Sequence, residues 1–248
     1  MPEAFIGHKI IHLESVDSTN NYAANLFKEG LIESGTVIMA DRQLNGRGQR
    51  QNMWQSGAFE NITMSIAFDP KLWKINNLIS LNHITALATY HFLRHYIKDI
   101  NIKWPNDLMV HNRKIAGLLI ESQWSAETLQ TVIGIGININ QDQFDNLKAT
   151  SLFLESGKRN QPKLLIYEFI REFNALMHIF LKEGAENIHE RFDAVLWKKG
   201  QIQRFIEVSS SAEFKGKIIR TDPRGRLLVE VDNQIKKFGN GEIRYITD

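Results

Sequence analysis

The chain has 248 residues, 43% of them apolar and 23% charged, enough for one large domain or a large and a small one around a real core. It has no cysteine, which excludes disulfides, thiolate metal sites and a cysteine nucleophile. The net charge of +2 is too small to imply nucleic acid by itself, no apolar run is long enough to span a bilayer, and the N-terminus does not read as a signal peptide.

The first predicted element is a helix. Asp17 or Ser18 can cap it, Ala23, Ala24 and Leu26 favour it, and Gly30 follows its end. Thr36 to Ala40 reads as a strand that enters a glycine-rich loop. Asn61 to Phe68 alternates, with Ile62, Met64, Ile66 and Phe68 on one face, and predicts a half-buried strand. Leu78 to Ile97 has helical spacing, its stripe being Leu81, Ile84, Ala88 and Phe92. Ile100 to Trp104 is extended, since Pro105 disfavours helical angles before it. Leu108–Val110 and Ile115–Ile120 predict two strands joined at His111–Lys114, and Thr131 to Ile139 predicts another. Residues 140 to 160 read as loop. Pro162 opens a long helix with a stripe of Leu165, Phe169, Phe173, Leu176 and Phe180, and a shorter helix follows over Glu186 to Trp197.

After Gly200 short strands alternate with turns: Arg204–Val208, Phe214–Arg220, Leu227–Val231 and Ile235–Phe238. Thr221-Asp222-Pro223-Arg224-Gly225 is a strong turn signal. The pattern predicts an α+β fold, with a mixed β-sheet and helices over residues 1–194 and a small all-β barrel over 195–248. The barrel is the basic part, carrying eleven Lys and Arg against seven Asp and Glu.

Three segments carry chemistry. In the first, Asp41 to Trp54, Gly46 and Gly48 bracket Arg47. Glycines there allow sharp turns and close approach to a ligand, and the backbone N–H groups of such a loop can cradle an anion. Arg47 and Arg50 add cationic forks, and Trp54 offers a face on which a purine can stack. Taken alone, a Gly-Arg-Gly reads as a solvated surface loop. The second segment joins Lys103-Trp104-Pro105-Asn106-Asp107 to Arg113-Lys114-Ile115-Ala116-Gly117. It sets Lys114 at a hairpin turn, where one ammonium can meet a carboxylate and an α-phosphate, with Gly117 leaving room. Asp107 has two readings of equal weight, a turn residue or a group that orients an amine. The third is Gly134-Ile135-Gly136-Ile137-Asn138, a strand whose glycines permit close approach and whose Asn138 offers an amide to a base or ribose.

These segments, in this order and spacing, closely resemble the biotin–protein ligase family. The resemblance rests on Ser18-Thr19-Asn20, Gln43, Gly46-Arg47-Gly48, Trp54, Lys103 to Asp107, Lys114, Gly117 and Gly134 to Asn138, and continues more weakly through the barrel. It implies an SH3-like C-terminal barrel, ATP with Mg²⁺, and biotin as substrate. Ser18, Thr19, Asn20 and Gln43 would line the biotin site with Gly46, Arg47, Gly48, Gln49, Lys114 and Gly117. Trp54, Asn106, Gly134 and Asn138 would surround the adenylate. Lys114 and Arg47 would stabilise adenylation, and Asp107 would handle the amine. The implied partner is a biotin carboxyl carrier domain, and the implied place is the cytoplasm. A homodimer stays open. Many members carry Arg directly after Gly-Arg-Gly; this chain has Gln49, with Arg50 next. Some members begin with a winged-helix DNA-binding domain; Ser18 lies too early for one before it, so no sequence-specific DNA binding is expected.

Rival readings are a ligase for lipoate or another carboxylic acid and a non-catalytic module whose basic barrel touches nucleic acid. His91 and His95 have a metal-ligand spacing on a helix, but packed or solvated histidines explain them better. No Gly-x-Ser-x-Gly elbow and no P-loop occurs, so ATP requires another architecture.

Overall fold

The computed structural model describes residues 5–50, 52–125, 128–145 and 147–246. Gln51, inside the glycine-rich segment, lies outside them. Seven strands form one mixed sheet: β1 (Ile10–Val16), β2 (Val37–Gln43), β3 (Ile62–Phe68), β4 (Ile100–Lys103), β5 (Asp107–Val110), β6 (Arg113–Ser125) and β7 (Thr128–Ile137). Their spatial order is β1-β2-β3-β7-β6-β5-β4. The β1–β2 pair is parallel and the rest antiparallel.

Helix α1 (Thr19–Lys28) covers one face of this sheet, where Ala23 and Phe27 pack with Ile38, Ala67 and Val132. Helices α2 (Leu78–Arg94) and α4 (Pro162–Ala194) belong to the main core, in which Ile84, Phe92, Phe169 and Phe173 pack with Ile62, Ile66 and Phe68. The predicted stripes of both helices are buried. The two helices expected after Pro162 run on as one, broken at Gly184, whose φ of 86° and ψ of 177° are not helical.

Strand β3 differs from the half-buried reading: all seven residues are buried. The face of Thr63 and Ser65, polar enough to suit solvent, lies under α1 instead. Sequence reasoning missed β1, whose burial pattern is irregular, and the short helix α3 (Leu152–Ser156). Capping explains α3: Ser151 Oγ accepts from the Leu154 N–H, and Gly157 closes it with a φ of 72°.

The C-terminal part is a five-stranded antiparallel SH3-like sheet: β8 (Ile202–Glu207), β9 (Glu213–Thr221), β10 (Leu227–Val231), β11 (Gln234–Phe238) and β12 (Ile243–Ile246), in the order β11-β10-β9-β8-β12. Its end strands do not pair with each other among the described residues, so the barrel is open. The short β12 was also missed. The predicted turn is held by Asp222, which accepts from the backbone of Arg224 and Arg226 and pairs with the Arg226 guanidinium. The two sheets share one core, and Trp104 Nε1 donates to the Gly225 carbonyl across their junction at 2.9 Å. No described helix is long and apolar enough to cross a membrane.

Candidate functional site

Cross-strand register builds the site. Gly136 of β7 lies between Thr63 of β3 and Gly117 of β6; one row along, Gly134 lies between Ser65 and Leu119. Three side chains are therefore missing from one patch of the α1-covered face, which leaves a depression in the sheet. Protein groups enter it: a Cβ on Gly134 would sit 2.2 Å from Asn20 Oδ1, and one on Gly136 would sit 2.3 Å from Trp54 Cε2. A Cβ on Gly117 would sit 2.9 Å from Lys114 Nζ. These glycines thus admit Asn20, Trp54 and Lys114 before any ligand.

The start of α1 supplies the polar wall. Ser18, Thr19 and Asn20 are buried, and Ser18 occupies the cap position without a capping bond from its side chain. Gln43 Oε1 accepts from the backbone N–H of Thr19 at 2.8 Å, with the Thr19 hydroxyl 3.0 Å away. The Ser65 hydroxyl lies 2.8 Å from Thr19 Oγ1 and 2.6 Å from Asn20 Oδ1. Ser65 is fully buried, so this chain of polar atoms is satisfied within the protein.

The glycine-rich loop folds back on itself. Trp54 N–H donates to the Gly46 carbonyl, Gly48 N–H donates to Asn52, and Arg47 bridges Met53. A Cβ on Gly46 would sit 2.4 Å from the Trp54 carbonyl, so this glycine serves the loop's own return. Arg47 reaches Asn21 Oδ1 at 2.8 Å and Glu121 Oε1 at 2.6 Å. Further along, Gln49 Oε1 is 3.4 Å from Asn240 Nδ2 of the C-terminal sheet, and the Arg50 guanidinium lies against Gly241.

Lys114 is the second residue of β6, not a turn residue. The turn lies before it, where His111 has a φ of 53°. Its Nζ is 2.6 Å from Asp107 Oδ1 and 5.7 Å from the centre of the Trp54 ring. The pair is partly exposed and within reach of a ligand. Lys103, across from Asp107 in the β4–β5 ladder, sits over the Tyr245 and Trp197 rings at 4.8 and 5.4 Å. Burial holds its ammonium below the usual lysine range, with Asp107 opposing that shift. Burial also raises the Tyr245 phenol.

A shallow cleft open to solvent results. Ser18, Thr19, Asn20, Gln43, Arg47, Gly48, Gln49, Trp54, Asn106, Lys114, Gly117 and Gly134 line it. Gly46, Asp107 and Asn138 do not. Gly46 faces a neighbouring groove, and Asp107 stands behind Lys114. Asn138 is buried at the end of β7, where its amide donates to the Thr150 carbonyl at 2.9 Å. Asn106 donates to the Leu118 carbonyl at 2.6 Å. Sequence reasoning picked out Gly136 of the wall by its glycine pattern but missed Met64, Leu118, Leu119 and Ile135, and Ser65 and Glu121 beside it. The apolar ones are continuous with core runs, and nothing in one sequence separates wall from core.

The other clusters behave as packing groups. His95 pairs with Glu172 at 3.2 Å, while burial lowers His91. No group of three side chains able to hold a metal occurs among the described residues.

Comparison with known proteins gives consistent results. The model of the Biotin/lipoate A/B protein ligase family matches residues 12–138. The "Bifunctional ligase/repressor BirA" of Bacillus spizizenii is 30% identical over 245 residues, covering 96% of this chain and 74% of that protein. The protein of the same name from Escherichia coli is 30% identical over 251 residues, with the same coverage. Among solved structures, "Biotin protein ligase from Aquifex aeolicus in complex with biotin and ATP" superposes with a TM-score of 0.82 at 25% identity, covering 98% of this chain and all of that one.

Proposed function

The chain belongs to the biotin/lipoate A/B protein ligase family as an ATP-dependent biotin–protein ligase, and we propose that Lys114, Arg47 and Asp107 carry its chemistry in the cleft. The reaction has two steps. The biotin carboxylate attacks the α-phosphorus of ATP, pyrophosphate leaves, and biotinyl-AMP remains. A lysine amine of the acceptor then attacks the acyl carbon, and AMP leaves with the bonding pair.

Both partners of the first step are anions, so the site must align them and offset their repulsion; no protein nucleophile is needed. Lys114 is placed for this. Its Nζ overlies the glycine-lined depression and is held at 2.6 Å by Asp107, which orients the ammonium. Arg47 adds a second cation from the loop. Mg²⁺ suits the site as an ion arriving on the nucleotide phosphates, where it would neutralise charge, because the described residues offer no dedicated cage of three acidic or imidazole ligands. In the second step the acceptor amine must be neutral to attack. In this reading Asp107, freed while Lys114 engages the adenylate phosphate, takes its proton.

The observation that supports this most is the convergence of Thr19, Asn20, Gln43, Arg47, Lys114 and Gly117, drawn from three separate segments, on one cleft. We assign Trp54 and Asn106 to the adenylate side and the start of α1 with Gln43 to biotin. Asn138 then acts from beneath, by supporting the 147–150 segment through Thr150. The proposed acceptor is a biotin carboxyl carrier domain in the cytoplasm, and the proposed units are residues 1–194 and 195–248.

The test is pyrophosphate exchange into ATP with biotin, lipoate or octanoate, followed by mass spectrometry of a carrier-domain lysine. Exchange with biotin alone, and a biotinylated lysine, are expected. Exchange that prefers lipoate would overturn the substrate assignment.

A further inference from the structure

Glu121 holds two parts of the cleft with one carboxylate. Its Oε2 accepts from Asn20 Nδ2 at 3.0 Å, and its Oε1 accepts from Arg47 Nη2 at 2.6 Å. The two donors differ in mobility. Asn20 is 4% exposed and fixed in the glycine depression, with its Oδ1 taking the Ser65 hydroxyl proton. Arg47 rides on the glycine-rich loop with its side chain 44% exposed.

The loop's internal bonds, Trp54 to Gly46 and Gly48 to Asn52, fix its shape but not its place on the sheet. Its base is tied by the Leu44 and Asn45 N–H groups to the carbonyls of Val16 and Asp17. Beyond the base and the packing of Trp54 on Gly136, its hydrogen bonds to α1 and the sheet among the described residues are the two made by the Arg47 guanidinium, to Asn21 and Glu121. The tie to Glu121 is the charge-assisted one, and such bonds are shorter and stronger than neutral ones.

We infer that Glu121 is a positioning residue that couples the loop to the buried Asn20 and so sets how tightly the loop closes over biotinyl-AMP. This rests on the ligase reading of the cleft. The chemistry requires a carboxylate here. Arg47 can only donate. Asn20 presents its amide N–H₂ to Glu121 Oε2 and to the Leu119 carbonyl, two groups that only accept and so hold the amide this way round. Position 121 must therefore accept twice, in two directions, from a strand that does not move with the loop. A glutamine accepts on one atom only. An aspartate keeps the charge but is one methylene too short to reach both donors.

The experiment compares Glu121→Gln, Glu121→Asp and wild type. Hydrogen exchange of the residue 45–50 amides is measured without ligand, and biotinyl-AMP release is measured from the preloaded enzyme. Both variants are expected to exchange these amides and release the intermediate about tenfold faster, the scale of one lost charged hydrogen bond. Their melting temperatures should stay near wild type, since the Glu121 side chain is 37% exposed. Unchanged loop exchange in both variants overturns the coupling. So does an aspartate variant that behaves as wild type, because charge alone would then suffice. Faster exchange across the whole sheet with a lowered melting temperature would make Glu121 a brace of the fold. If wild type forms no biotinyl-AMP, the ligase reading fails, while loop exchange still reports on the coupling.

Discussion

Trp54 lies on Gly136: a Cβ on that glycine would stand 2.3 Å from Cε2 of the indole and 2.6 Å from Cζ2. The ring is partly buried, and its Nε1 is enclosed without a hydrogen-bond partner. Trp54 thus fills part of the depression beside which a nucleotide is proposed to fit.

Gly136→Ala should force the indole out or strain the β6–β7 ladder, at the cost of about 1–3 kcal/mol typical of overpacking. Trp54→Ala in the same chain should relieve most of that cost. A double-mutant cycle by chemical denaturation checks the coupling. Additive stabilities would show that the two residues do not meet in solution.

Lys114→Ala should cost adenylation far more than folding. Its side chain is 36% exposed and its partner Asp107 25% exposed, so water can solvate what remains. Loss of a cation aimed at developing charge should cost on the order of 2–4 kcal/mol in the barrier. Pyrophosphate exchange with a parallel thermal melt separates the two effects. Exchange within a few-fold of wild type would remove Lys114 from the catalytic role.

Much of this site is legible in the sequence because glycines, Asn-Asp turns and isolated cations break the core pattern. Gly117, Gly134 and Lys114 stand out for that reason. What the glycines accommodate is not legible, since Asn20 and Trp54 arrive from segments over eighty residues away in the chain. Ser65 shows the same limit. A polar residue alternating with Met64 and Ile66 reads as solvent-facing until α1 is placed over it. Glu121 extends an apolar strand past its buried part and looks like an ordinary exposed end. Strands β1 and β12 escaped notice because one mixes its burial and the other has four residues.

Gln49, which follows Gly48 in the glycine-rich loop, touches Asn240 weakly at 3.4 Å. Gln49→Ala should therefore leave adenylation near normal and shorten the lifetime of bound biotinyl-AMP by a few-fold, roughly the worth of one neutral hydrogen bond. Release of labelled intermediate from the two proteins is the measurement. Equal lifetimes would remove Gln49 from the site.

At the junction of α2, α4 and β9 the structure predicts acid sensitivity. His83 stacks on Phe192 and meets the His189 ring edge-on; burial lowers its pKa to about 3, with His189 adding to the shift and Asp193 opposing it. The unfolded chain therefore binds a proton at His83 between pH 6.5 and about 3 while the folded one does not, and stability falls as pH drops through that window. His189 acts oppositely. Its hydrogen bond to Asp193 raises it, so its contribution is present in acid and fades as pH rises through the folded value. For Asp193, burial pushes upward, and bonds from His189 and Thr221 outweigh it, so its contribution is lost below pH 3.8. Glu186, Glu190, Lys199 and Arg220 line the same cavity and set its background charge. His83→Phe should flatten the loss between pH 6.5 and 4, at up to about 1.4 kcal/mol per pH unit. Melts of both proteins across that range decide; parallel slopes would acquit His83.

The C-terminal sheet carries the chain's positive excess, and Lys236 and Lys237 are exposed on β11, its end strand. That strand runs directly into the turn holding Asn240 and Gly241, which touches Gln49 and Arg50 of the glycine-rich loop. The strand bearing these lysines thus leads to the glycine-rich loop, whose Gln49 lines the cleft. An acidic carrier domain would be drawn to this edge before contact. Long-range attraction of this kind acts on encounter and fades as salt shortens the screening length to about 8 Å. Lys236→Glu with Lys237→Glu should slow transfer to the carrier several-fold at low ionic strength and leave pyrophosphate exchange intact, because neither residue lines the cleft. At high salt the variant and wild type should converge. Transfer rates measured against salt test this, and identical rates at low ionic strength would place the docking surface elsewhere.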